Sequence, residues 1–211
     1  MSNQSRKSNN TRQKILEVAR ALFAQHGYAG LRLDEVAKGV GIRRPSLFYY
    51  FKDKPTLYKA VWSQAIEEQD AYLATYFMRE DLTSSELLDV AIDGWVSYAF
   101  ENRDFIYLAL FAAASGRSPD FPRGVAMDTV HRWQQLINRG VEEGVFQDVP
   151  LVDCLSLLIG MTSFYLVTPG NDIPALNRDY HNDKEAFTTR LRFLLRSLLI
   201  KPLNEHTNPA A

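Results

Sequence analysis

Two adjacent arginines, Arg43 and Arg44, stand directly before Pro45 and Ser46, and Phe48, Tyr49, Tyr50 and Lys54 follow closely. A guanidinium is a planar fork of donors that matches the O6 and N7 acceptors of guanine, so at least one arginine is expected to read a base. The alternatives for the pair are phosphate contacts or plain solvation. Ser46 offers a small hydroxyl to a phosphate or a base edge. Pro45 either presses on a thymine methyl or, more simply, starts a helix. Of Tyr49 and Tyr50, one is expected to bury its ring and the other to aim its hydroxyl at a phosphate. Lys54 opens a helix just after Asp53, and an ammonium beside a helix N-terminus suits a phosphate. The chemistry of this cluster is recognition of a polyanion, with no bond made or broken.

The charge distribution agrees. The net charge is −1, yet residues 1–60 hold twelve Lys/Arg against four Asp/Glu, and the remainder twelve against twenty-one. A basic head on an acidic body implies that only the head meets a polyanion. Catalysis finds no support: no HExxH, GxSxG, phosphate loop or GxGxxG is present, so no catalytic residue is nominated. His26, His131, His181 and His206 have no ligand spacing to one another or to Cys154, so neither a metal nor a cofactor is expected. A single cysteine excludes an internal disulfide and fits a reducing, cytoplasmic setting. The opening MSNQSRKSNN lacks an apolar run, and the longest apolar stretch, 151–167, is interrupted by Asp153. No membrane association is expected.

The elements that must position the cluster are helices. Ile15, Leu16, Ala19, Leu22 and Phe23 recur at helical spacing, and Gly27 ends that helix. Leu33, Val36, Ala37 and Val40 mark a second short helix, broken by Gly41. Pro45 opens a third through Phe51, with Leu47 facing the core, and Asp53 caps a fourth. This helix, Gly-containing turn and helix over 33–51 is the helix-turn-helix layout, in which the second helix enters the major groove. Further helical spacing appears near 82–101, 104–114, 121–143, 151–167 and 183–200, separated by Gly/Pro-rich breakers. The expected fold is all-α: a disordered basic arm (1–10), a helix-turn-helix domain (11–58), a helical body (59–202) and a flexible tail (203–211). In the arm, Arg6 and Lys7 could enter the minor groove or simply add diffuse attraction.

Residues 11–61 also carry a resemblance. The run TR..IL..A..LF...GY, then D.VA..VG, then SLFYYF.DK..L is similar to the N-terminal domain of the tetracycline-repressor (TetR) family. The resemblance implies a dimeric repressor on a palindromic operator, released when a small molecule binds the helical body. It places Tyr50 at a recurrent backbone contact and Tyr49 where a histidine is frequent. Phe48 replaces the usual tyrosine, leaving apolar DNA contact or partial burial as its roles. Arg32 stands where the family often has a capping Ser or Thr. Either Asp34 or an upstream carbonyl compensates, or Arg32 is itself a phosphate contact.

The body is rich in aromatics, which either fill a core or line a cavity. The resemblance implies a pocket among helices 82–114 and 121–167, with Trp95, Tyr98, Asn102, Tyr107, Phe111, His131, Gln134 and Phe164 as candidate lining. Two helices, 151–167 and 185–200, look made for a second copy. The first is apolar nearly all round, with Ser156, Gly160 and Ser163 close together. The second sets Leu191, Leu194, Leu195, Leu198 and Leu199 against Arg190, Arg192 and Arg196. Competing readings are a ligand sensor acting through a protein partner and a helical enzyme without a recognisable motif.

Overall fold

The computed structural model describes residues 3–115, 127–168 and 183–202. Among them, nine helices run in order: α1 (Asn3–Gly30), α2 (Leu33–Val40), α3 (Arg44–Tyr50), α4 (Lys54–Phe77), α5 (Ser84–Glu101), α6 (Arg103–Ala114), α7 (Met127–Glu142), α8 (Leu151–Val167) and α9 (Lys184–Leu199). Their only β pairing among the described residues is a single bridge between Phe146 and Ile200. None of these helices is long and apolar enough to cross a membrane.

The expected arm is corrected by the helix itself. Residues 3–10 contain no Gly or Pro, so once α1 nucleates nothing in them stops it growing toward the N-terminus. The Thr11 hydroxyl donates to the Lys7 carbonyl at 3.0 Å within this added turn. The expected tail 203–211, the breaker at 116–122 and all but Thr168 of the breaker at 168–174 lie outside the described residues.

The described residues divide into two compact units, and the division differs from a boundary at residue 58. One comprises the residues up to Tyr72 with those from Tyr98 into α6; the other comprises Leu73–Ser97 and the residues from Thr129 onward. In the first unit, α1 packs on α2 and α6. Ile15, Leu16, Ala19 and Phe23 are buried on one face of α1, with Val36, Ala37, Leu47 and Leu57 completing the core. Leu22 and Leu33 are only half-buried at its edge. Gly27 breaks α1, as the spacing implies, but with φ 66° and ψ 177° rather than the left-handed helical geometry. That backbone is open to glycine almost alone. A Cβ there would also meet the Phe111 ring of α6 at 3.2 Å.

In the second unit, Leu88, Ile92 and Trp95 of α5 pack in the core with Trp133, Leu136 and Leu158, and with Leu191 and Leu195 of α9. Trp95 Nε1 donates to Thr162 Oγ1 at 3.0 Å, and that hydroxyl donates to the Leu158 carbonyl at 2.6 Å, so a buried polar pair is satisfied. Arg192 and Arg196 face α5 rather than open solvent. Arg196 meets Asp89 at 2.9 Å, and Arg192 pairs with Asp93. Gly140 lies so close to the buried Phe146 ring that a Cβ would stand 2.1 Å from it.

Candidate nucleic-acid interface

The turn between α2 and α3 fixes the interface. Gly41 takes φ 80°, ψ 31°, and its N–H donates to the carbonyls of Ala37 and Lys38 at 3.0 and 3.1 Å. This left-handed cap closes α2 and redirects the chain at once. The N-terminal cap of α2 comes from neither Asp34 nor an upstream carbonyl. The Arg32 N–H donates to Glu35 Oε2 at 3.3 Å, half of a capping box with the carboxylate supplied by Glu35. Asp34 instead accepts from Arg44 at 3.1 Å.

Pro45 lies in the first turn of α3, where a missing N–H costs nothing. Leu47 is buried at 1% exposure and pins the helix to the core. Rotation about that anchor leaves Arg43, Arg44, Pro45, Ser46, Phe48 and Tyr49 facing solvent. The Arg43 side chain makes no hydrogen bond or ion pair with any described residue, so its guanidinium is free for an incoming acceptor. Arg44 is steered, pairing with Asp34 and lying over the Phe48 ring at 5.7 Å. Tyr49 is 82% exposed, whereas Tyr50 is half-buried and meets it edge-on at 5.3 Å. Phe51 closes the helix as a buried ring with the Arg12 guanidinium 5.2 Å above it. That arginine has no local sequence signal, because the contact joins distant helices.

Asp53 caps α4: its Oδ1 accepts from the Thr56 N–H at 2.8 Å. Hydrogen bonding from Thr56 holds the Asp53 carboxyl below its ordinary range. Lys54 behaves differently from a residue aimed outward. Its ammonium donates to the carbonyls of Leu31 at 2.6 Å and Ala29 at 3.3 Å and lies 4.8 Å from the centre of the Tyr28 ring. Partial burial lowers its pKa.

Residues 15–61 match the family model described as bacterial regulatory proteins, tetR family. The HTH-type transcriptional regulator AcrR of Shigella flexneri is 44% identical over 52 residues, 25% of this chain and 24% of that protein. Over residues 15–61, then, the chain is similar to the DNA-binding segment of the tetR family. A second match is the biofilm operon icaADBC HTH-type negative transcriptional regulator IcaR of Staphylococcus aureus strain Newman, 27% identical over 110 residues, 52% of this chain and 56% of that one. These alignments thus span about a quarter and just over half of the relatives' own lengths. A TetR family transcription regulator from Marinobacter aquaeolei VT8 shares the fold at TM-score 0.75 and 13% identity, over 94% of this chain and 100% of that one. These relatives are transcription regulators, not enzymes.

The candidate pocket residues are divided between the two units. Tyr98, Asn102, Tyr107 and Phe111 belong to the first unit, and Trp95, His131, Gln134 and Phe164 to the second. Tyr98 is a core residue between the rings of Tyr72 and Phe105, and burial pushes its hydroxyl up to about 12. Trp95 is committed to Thr162, Asn102 donates to the Tyr98 carbonyl at 2.9 Å, and Gln134 to Asn138 at 2.7 Å. Tyr107 is half-buried, Phe111 covers Gly27, His131 is exposed, and Phe164 is 61% exposed. The second unit does contain an open cleft of about 690 Å³, lined by none of these eight. Its walls come from the end of α4, the following connector, the start of α5 and α7, with Phe77, Leu87, Leu136, Arg132 and Arg139 among them. Composition directs attention to dense aromatics; this cleft is mostly built from other residues, and no sequence motif marks it.

Proposed function

We propose that this chain is a dimeric transcription repressor that reads a palindromic operator with α3 and leaves it when a small molecule binds its helical body. The observation that carries this reading is the solvent-facing edge of α3, held by the buried Leu47, on which Arg43 has no internal partner. Arg43 is the base-reading guanidinium. Arg44, held by Asp34, and Arg32 approach phosphates, while Pro45, Ser46 and Phe48 fill the groove wall. Tyr49 offers its hydroxyl from the exposed side and Tyr50 from the half-buried one.

Dimerisation through α8 and α9 is supported by apolar side chains that the subunit leaves uncovered. Val152, Ile159 and Phe164 of α8 and Phe193 of α9 are 65, 40, 61 and 69% exposed, and a Cβ on Gly160 would meet nothing within 4 Å. Such a surface favours a second copy with two-fold symmetry, which a palindromic site requires. A cytoplasmic location goes with a regulator of this kind.

The test is fluorescence anisotropy on a duplex enriched from random DNA, against a shuffled duplex at the same salt. Specific binding at least about 10³-fold tighter than non-specific binding is expected, with Arg43→Ala eroding that ratio. Equal affinity for both duplexes would refute the reading.

A further inference from the structure

The cleft in the second unit holds one side chain whose polar demands the fold leaves open. Arg132 lines it, its side chain makes no hydrogen bond or ion pair with any described residue, and its Nη1 is buried without a partner. A guanidinium brings several donors into the protein, and leaving one dry and unmade is costly, so such a group calls for an explanation.

The other charged residues of the cleft are accounted for. Arg139 donates from Nε to Glu143 at 2.8 Å and from Nη2 to the Leu82 carbonyl at 2.7 Å. Asp81 accepts from Arg79 Nε and Nη2 at 3.1 and 3.2 Å, and these bonds hold its carboxyl low. Glu80 and Gln135 are exposed, where water satisfies them. Arg132 is therefore the one cationic group of the cleft lining whose side chain has no partner among the described residues. Beside it stand Leu87 and Leu136, both buried, and Phe77, whose ring is braced edge-on by Trp133 at 5.3 Å. Met78, 77% exposed, forms an adaptable apolar lip.

We infer that this cleft binds a small amphipathic monocarboxylate, its carboxylate on Arg132 and its apolar end against Phe77, Leu87 and Leu136. A planar carboxylate matches the guanidinium fork. A single charge fits because the cleft offers one unpartnered guanidinium, and Glu80 at the same cleft disfavours further negative charge. The volume is within the ordinary range for small-molecule sites. Binding stands apart from the DNA reading; only its role as the release signal rests on that reading.

Isothermal titration of the full chain with octanoate and with phenylacetate, each against the alcohol of the same skeleton, tests the inference. At least one acid should bind saturably and at least tenfold more tightly than its alcohol. Arg132→Gln should abolish that preference, with helicity by circular dichroism unchanged, while Arg132→Lys should keep part of it. Should Arg132→Gln fail to fold, the acid-to-alcohol ratio of the wild type decides alone. Binding of neither acid, equal binding of acid and alcohol, or a preference that survives Arg132→Gln would overturn the inference. None of these results bears on operator binding, which is measured separately.

Discussion

Lys54 donates to the carbonyl of Leu31 at 2.6 Å, tying the first residue of α4 to the segment that follows the Gly27 break in α1. A lysine opening a helix looks from sequence like a phosphate ligand, but here two carbonyls and the Tyr28 face already hold its ammonium. Lys54→Ala should therefore weaken operator binding by loosening the head, lowering its stability by roughly 1–2 kcal/mol. The slope of log affinity against log salt should stay unchanged. A lost phosphate contact would instead make that slope shallower by about 0.9.

Arg43 and Arg44 should separate in the same assay. Arg43→Ala is expected to cost about 1–3 kcal/mol at one base position and relax preference there. Arg44→Ala should weaken binding to all sequences alike and reduce the salt slope. Base-by-base affinity profiles of the two variants make the comparison, and identical profiles would refute the division of roles.

Much of this was legible because helices announce their ends. Gly41, Pro45 and Asp53 each have a local physical consequence, and the structure uses each as that consequence requires. The start of α5 carries a comparable local signal: Thr83 and Glu86 form a reciprocal cap, with the Thr83 N–H to Glu86 Oε2 at 2.9 Å. The pocket was not legible. Whether an aromatic such as Tyr98 or Trp95 lines a cavity or fills a core depends on residues distant in sequence, which periodicity cannot pair. The same limit hid Arg12 over Phe51 and the carbonyl contacts of Lys54.

The uncovered face of α8 and α9 yields a prediction about assembly. Phe164→Glu combined with Phe193→Glu places charge where a second subunit would bury apolar surface, so sedimentation should show monomers with unchanged helicity. Binding to a full palindrome should fall far more than binding to a half-site. A double variant that still sediments as a dimer would place the interface elsewhere.

Gly140→Ala should destabilise the second unit by about 3 kcal/mol, since its Cβ would stand 2.1 Å from the buried Phe146 ring. Thermal unfolding reads the change. A melting point within a degree or so of wild type would mean that the ring has room to move.

Asp53 adds an acid dependence. Its carboxyl is lowered in the folded protein by hydrogen bonding from Thr56, so its stabilisation is full above the unfolded carboxylate range. It is lost as pH falls through the lower folded value. Asp53→Asn keeps an oxygen acceptor but cannot titrate, so its melting point should decline less than that of wild type between neutral and acid pH. Parallel declines would exclude Asp53 as a contributor.

In the proposed function, α3 reads DNA as one half of a two-fold assembly. Enrichment from a random-sequence duplex pool, sequenced after several rounds at fixed salt, tests it most directly. A palindromic motif is expected whose half-site centres lie about one helical turn or a multiple of it apart, degraded at one position per half-site by Arg43→Ala. Recovery of no shared motif, or of a motif without two-fold symmetry, would contradict it.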